Sequence, residues 1–257
     1  VMFLGLTGAA AHAQTPPVVS DIPDQTVAEG ALFTTITLDN YVTDAESTPD
    51  QITWTYTGNL ELTVSIDVNR VATITIPNAD WNGSETITFT ATDPDLLSDS
   101  DPATFTVTAV NDAPVVSDIP NQTINEGSLF TTINLDNFVS DVDNLDSEMN
   151  WTFSGNSELT VSIDINRVAT ITIPNADWFG SETITFTATD PGLLSDSDAA
   201  IFTVTAVNDA PVVSDIPNQT IAEGSSFATV NLDDYVSDVD NLDSEMNWTF
   251  SGNSELT

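Results

Sequence analysis

Apolar and hydroxyl-bearing residues alternate with a period of two in six short runs between Leu129 and Val207: LFTTINL, NWTFS, LTVSIDI, VATITI, ETITFTAT and AIFTVTAV. That period places successive side chains on opposite faces of an extended backbone, so each run predicts a strand with one face buried and one wetted. In ETITFTAT the inward set is Ile184, Phe186 and Ala188, and the outward set is Thr183, Thr185, Thr187 and Thr189. Threonine is β-branched yet polar, which suits a solvated sheet face. Nothing in the stretch shows helical spacing of any length. Six or seven strands at short intervals, separated by Asp, Asn, Gly and Pro, predict an all-β fold, an antiparallel Greek-key β-sandwich.

The pattern recurs. PVVSDIP stands at Pro17, Pro114 and Pro211, 97 residues apart, so the chain reads as a tandem array. The expected organisation is one repeat over 14–113, a second over 114–210 and a partial third over 211–257. Each full repeat is long enough to bury its own core. The third ends at the position equivalent to Thr160 and lacks the strands that would close a sandwich, which predicts poorer order there than in the first two. Near identity between neighbours also carries the risk that strands of one repeat complete another.

Between LTVSIDI and VATITI the turn DINR (Asp164–Arg167), like DVNR (Asp67–Arg70), places Asn where a left-handed residue sits at a hairpin bend. Its Arg is expected to pair with a local carboxylate; a recognition role is the alternative. Trp54, Trp151 and Trp248 lie mid-strand in successive copies and are expected to fill the sandwich centre. Trp81 and Trp178, in NADWNG and NADWFG, precede a strand. They are either plugs sealing one end of the core or platforms on which a sugar stacks.

Charge changes the picture. The chain carries 40 Asp plus Glu against two cations, Arg70 and Arg167, for a net charge of −38. Such a surface repels nucleic acid and anionic lipid, both of which need Lys or Arg to neutralise phosphate. Disorder, the usual companion of acidic composition, is opposed by a hydrophobic content of 40% in clean alternation. The carboxylates are balanced either by solvation or by a divalent cation.

Residues 1–13 are a short apolar run ending in Ala11-His12-Ala13, which fits the tail of a secretory signal peptide without its positively charged start; a buried strand or short helix is the alternative. No other stretch is long enough to span a bilayer. The chain is therefore expected to be secreted or at the cell surface. It has no cysteine, so stability there rests on cores and metal and not on disulfides.

The segment Thr88–Val116, TFTATDPDLLSDSDPATFTVTAVNDAPVV, joins one repeat to the next. It resembles the end of one cadherin repeat and the start of another, and it is most similar to bacterial cadherin-like and immunoglobulin-like tandem repeats with a V-N-D-A-P linker. The resemblance covers both full repeats and the partial one. It implies Ca²⁺ held at each junction by acidic and amide oxygens, six to eight per ion. For the first junction the matching positions are Glu29, Asp80, Asn111, Asp112, Asp141 and Asp143. For the second they are Glu126, Asp177, Asn208, Asp209, Asp238 and Asp240. The chain departs from the cadherin pattern: Val and Ala replace polar linker positions, and Asn82 and Phe179 stand where the glutamate of a D-x-E motif belongs. Fewer oxygens imply weaker or fewer ions. In the first repeat Asp44 and Glu46 occupy the D-x-D positions and are expected to be idle. Without an ion, Asn111 and Asp112 form a simple turn and the D-x-D acids a solvated loop.

Catalysis is not expected: the only histidine is His12, Cys and Lys are absent, and no acid pair sits in a motif pointing to a cleft. Two readings remain. One is a calcium-stiffened spacer in a large bacterial surface or secreted adhesion protein, its partners being neighbouring repeats of the same chain. The other is a module in which each repeat binds carbohydrate, or a like repeat on another cell. Exposed Trp81 and Trp178 favour the second, buried ones the first.

Overall fold

A computed structural model of the chain describes residues 14–254, so the expected signal peptide at 1–13 lies outside the described residues. Two compact units are present, divided between Asn111 and Asp112.

Unit 1 contains β1 (Val18–Val19), β2 (Gln25–Ala28), β3 (Ile36–Thr37), β4 (Val42–Thr43), β5 (Thr53–Thr57), β6 (Thr63–Ile66), β7 (Val71–Thr75), β8 (Gly83–Thr92) and β9 (Ser98–Thr108). The strands form a four-stranded sheet ordered β2-β9-β8-β5, a three-stranded sheet ordered β3-β7-β6 and the pair β1-β4. Its backbone is the long hairpin of β8 and β9, in register from Gly83 opposite Val107 to Thr92 opposite Ser98. Alternation does what the sequence predicts: Ile87, Phe89, Ala91, Ala103 and Phe105 are fully buried, while the Thr86 and Thr104 hydroxyls meet 3.1 Å apart on the outer face. Phe105 receives Phe33 edge-on at 5.3 Å, and Trp54 belongs to the same core. Burying one such aromatic is worth roughly 2–3 kcal/mol.

Alternation reports faces and not strand direction. Each four-stranded sheet therefore holds a feature the pattern leaves hidden, one parallel ladder, β2 on β9. It leaves β2 and β3 as the outer strands of the two sheets. Gln25 closes the gap beside them: its side-chain Nε2 donates to the Thr34 carbonyl at 2.9 Å and its Oε1 accepts the Thr34 N–H at 2.8 Å. A side-chain amide thus performs the pairing of a missing peptide group.

Unit 2 repeats the plan with β10 (Val115–Val116), β11 (Gln122–Asn125), β12 (Ile133–Asn134), β13 (Val139–Ser140), β14 (Asn150–Ser154), β15 (Thr160–Ile163), β16 (Val168–Thr172), β17 (Gly180–Thr189) and β18 (Ser195–Thr205). The third copy contributes β19 (Val212–Val213) and β20 (Val236–Ser237), its only strands among the described residues. Without counterparts of β17 and β18 to pack on, Phe227 is 48% exposed, whereas its equivalent Phe130 is 7% exposed.

The hairpin bends correct one expectation. The left-handed residue is the arginine, at φ 59° in both Arg70 and Arg167, and not the asparagine before it. Asp67 Oδ1 accepts the N–H groups of Asn69 and Val71, which winds the turn tightly enough to force the next residue over. The Val71 and Asn69 N–H bonds outweigh the desolvation acting against them and hold the Asp67 carboxyl below its ordinary range. Arg70 then reaches back to grip Asp39 with two hydrogen bonds of 2.6 and 2.8 Å, as Arg167 grips Asp136. The expected carboxylate partner is therefore present, but 31 residues away in sequence.

Candidate metal centre

Within unit 2 three of the six candidate ligands of the second junction, Glu126, Asp209 and Asp240, converge from three segments. Glu126 follows β11, and its N–H extends the parallel ladder to the Thr205 carbonyl. Its Oε1 accepts the Val207 N–H at 2.5 Å, which draws the strand after β18 towards it. Asp209 donates its own N–H to Asp240 Oδ2 at 2.6 Å. Asp240 is presented by the loop after β20, where Asp238 Oδ1 accepts the N–H groups of Asp240 and Asn241, each at 2.9 Å. One carboxylate oxygen from each of Glu126, Asp209 and Asp240 then lies within 4.8 Å of the other two.

That distance has meaning. Oxygens on opposite sides of a calcium ion, each about 2.4 Å from it, are separated by about 4.8 Å. Three carboxylate oxygens held this close together are the kind of set a single cation can draw on. Without a cation each pair repels by roughly 1 kcal/mol even at the dielectric of water.

The other predicted ligands divide. Asp177 is exposed and its N–H is turned onto Asn175 Oδ1, and it does not join Glu126, Asp209 and Asp240. Asn208 points its amide at the Asp209 carbonyl, 2.8 Å away. Asp238 shapes the loop through Oδ1. In unit 1, Glu29 and Asp80 bring carboxylate oxygens within 4.8 Å of each other. Glu29 Oε2 accepts the Val110 N–H at 2.9 Å, and its Oε1 is buried with no hydrogen-bond partner. Asn111 is the last residue of unit 1. In unit 2, Asp112 donates its N–H to Asp143 Oδ2 at 2.8 Å, and Asp141 Oδ1 accepts the N–H groups of Asp143 and Asn144. Asp141 Oδ2 and the side-chain oxygen of Asn144 are buried and unpartnered. Asn144 was not among the predicted ligands; its place one residue past the D-x-D motif is the signal for it. Orphaned buried oxygens cost free energy unless a donor or a cation satisfies them.

Asp44 and Glu46, expected to be idle as metal ligands, organise their own loop. Asp44 Oδ1 accepts the N–H groups of Glu46 and Ser47, Glu46 accepts both the N–H and the hydroxyl of Thr15, and Asp44 Oδ2 is buried and unpartnered. The loop reaches the same arrangement in all three copies because its hydrogen bonds are local.

A second set of acids lies outside those motifs. Asp99 and Asp101 lie on the inward side of β9 and accept the N–H groups of Val19 and Ile22, each at 2.8 Å. Asp196 and Asp198 do the same for Val116 and Ile119. These carboxylates tie down a short first strand that has only β4 or β13 for a ladder partner. Their signal was present in SDSD, where the alternation places acid on the core side.

Glu182 is likewise structural. Burial works to raise its pKa, but the Ser157 hydroxyl and the N–H groups of Ser157, Glu158 and Leu159 outweigh it and hold the carboxyl below its ordinary value. The tryptophans before β8 and β17 pack on the two cores, and their indole N–H groups donate to Glu61 and Glu158. Trp81 and Trp178 are plugs.

A family model described as Bacterial Ig domain matches residues 14–108 and 111–205. The chain belongs to the bacterial Ig domain family. Bacterial Ig domains are non-catalytic structural and adhesion modules of surface proteins, so this one is an extracellular or secreted component and not an enzyme. No helix among the described residues is long and apolar enough to cross a membrane. No curated protein matches the chain. Among solved structures it is similar to PcdhgB3 EC1-4, with 18% identity over 75% of this chain and 51% of that one at a TM-score of 0.51. It is also similar to Drosophila N-cadherin EC1-4, with 16% identity over 75% and 50% at 0.48, and to protocadherin gamma B7 extracellular cadherin domains 1-4, with 19% identity over 88% and 60% at 0.47. The chain thus spans between half and three-fifths of their length, and the likeness to the first shows a shared fold of tandem β-sandwiches.

Proposed function

We propose that these bacterial Ig domains are a calcium-stiffened spacer of a large surface or secreted adhesion protein. The observation that carries this reading is the meeting of one carboxylate oxygen each from Glu126, Asp209 and Asp240 within 4.8 Å of one another. The unpartnered buried oxygens of Glu29, Asp44, Asp141 and Asn144 support it. An ion there would tie the segment after β18 to the loop after β20, which is what a load-bearing joint requires. Neighbouring repeats of the same chain are the partners this role needs. The reading in which each repeat binds carbohydrate or a like repeat called for exposed tryptophans, and Trp81 and Trp178 are packed on the cores.

The test is thermal unfolding of the chain in Ca²⁺ and in chelator. A ligand at a hundred times its Kd stabilises by about 2.7 kcal/mol, so the midpoint is expected to rise in Ca²⁺. The rise should shrink in the double variant Glu126→Gln, Asp240→Asn. Equal midpoints with and without the ion would remove calcium from the account.

A further inference from the structure

Asn82 and Gly83 form the only Asn-Gly pair in the chain. Asn82 is exposed, and its side chain makes no hydrogen bond to another described residue. Other asparagines are held: Asn156 Nδ2 donates to the Leu159 carbonyl at 3.1 Å, and Asn78 Oδ1 accepts the Asp80 N–H at 3.0 Å. Gly83 opens β8, at the end of its ladder opposite Val107. It has no Cβ to hinder attack by its nitrogen, and a Cβ there would lie 2.8 Å from Trp81 Cζ2, so the indole would have to shift to admit one. The glycine is kept by the tryptophan plug, and the plug thereby fixes a reactive pair beside Asp80.

We propose that Asn82 is a self-modification site that deamidates to place a new carboxylate two residues beyond Asp80. The Gly83 backbone nitrogen loses its proton and attacks Asn82 Cγ. A bond forms between them, the Cγ–Nδ2 bond breaks, and Nδ2 leaves as ammonia after taking up a proton. Water then opens the succinimide ring at either carbonyl, giving aspartate or isoaspartate. No oxidant, reductant or second protein is required. The product turns Asp-Trp-Asn into an Asp-Trp-Asp or isoaspartyl sequence, in the loop whose Asp80 already lies within 4.8 Å of Glu29. Because the ligand charge count tunes calcium affinity, unit 1 gains affinity as the protein ages. Phe179 stands at this position in the second repeat, so unit 2 carries no such site. The gain in affinity rests on the calcium reading; the modification does not.

Peptide mapping by mass spectrometry of the full chain, incubated at mildly alkaline pH in Ca²⁺-free buffer, tests the chemistry. Conversion at Asn82 is expected to outpace that at Asn78 and Asn156 several-fold, to slow at mildly acidic pH and to vanish in Asn82→Gln. Conversion no faster at Asn82 than at the other two would overturn the proposal. Calcium titration of Asn82→Asp against the wild-type chain tests the consequence, with tighter binding of one site expected. Unchanged binding in a wild-type chain that does bind calcium would overturn the gain in affinity. If neither chain bound calcium, the calcium reading itself would fall, while the modification would still be decided by mass alone.

Discussion

At the scale of single residues, buried contacts and acid hydrogen bonds make opposite demands on the sequence. Gly155 has φ 95°, and a Cβ on it would meet the Thr183 carbonyl oxygen at 2.3 Å, so backbone and not a pliable side chain stands in the way. Gly155→Ala is expected to destabilise unit 2 by about 2 kcal/mol or more, read from urea unfolding, because the left-handed strain adds to the overlap. Glu182 makes the complementary prediction. Its folded-state pKa is depressed, so its contribution is fully present above the unfolded value of about 4.3 and is lost as pH falls through the lower folded one. Unfolding midpoints measured from about pH 5 down to about pH 3 should fall more steeply in the wild type than in Glu182→Gln. Parallel slopes would show that the four hydrogen bonds to this carboxylate do not favour its charged form.

At the scale of elements, the strands and their faces were legible and the devices holding their edges were not. Ile184, Phe186 and Ala188 point inward as ETITFTAT predicts, because burial selects apolar residues at every second position whatever the neighbouring strand does. The direction of β2 and β11, the left-handed arginines and the amide bridges of Gln25 and Gln122 depend on partners that no local pattern encodes. The candidate metal site divides in the same way. Asp209 and Asp240 were legible in the recurring VNDAP and SDVDN and Glu126 in the match to the cadherin glutamate near the start of the preceding repeat, whereas Asp177 shows that a matching motif does not ensure that its side chain arrives. Gln122 offers a test of the edge device. Its side-chain amide exchanges two hydrogen bonds with the Thr131 backbone, of 2.9 and 2.8 Å. Gln122→Ala should cost about 1 kcal/mol of unfolding free energy, since the freed backbone groups remain accessible to water. Hydrogen exchange at the Thr131 amide should rise well above that at Ile184, inside the long hairpin; equal protection would mean that the bridge does not secure the edge.

At the scale of the whole molecule, a net charge of −38 with two cations leaves almost every carboxylate to water, to backbone N–H groups or to an added ion. Two kinds of salt effect follow, and they are separable. General repulsion among exposed acids is screened by any electrolyte, with a Debye length of about 10 Å at 0.1 M, so sodium chloride should raise stability gradually. A calcium site formed from the three oxygens within 4.8 Å of one another would act differently, because it would select for ion size and charge. Calcium accepts irregular sets of six to eight oxygens, whereas magnesium demands a near-octahedral arrangement and surrenders its water reluctantly. With ionic strength held constant in sodium chloride, calcium is therefore expected to raise the unfolding midpoint at concentrations where magnesium does little. The difference should vanish in Glu126→Gln, Asp240→Asn while the sodium chloride dependence persists, since that variant removes only two of 40 acids. If calcium and magnesium stabilised the chain equally, the ions would be acting as diffuse counter-charge, and the acids after β11, β18 and β20 would be solvated surface and not a joint.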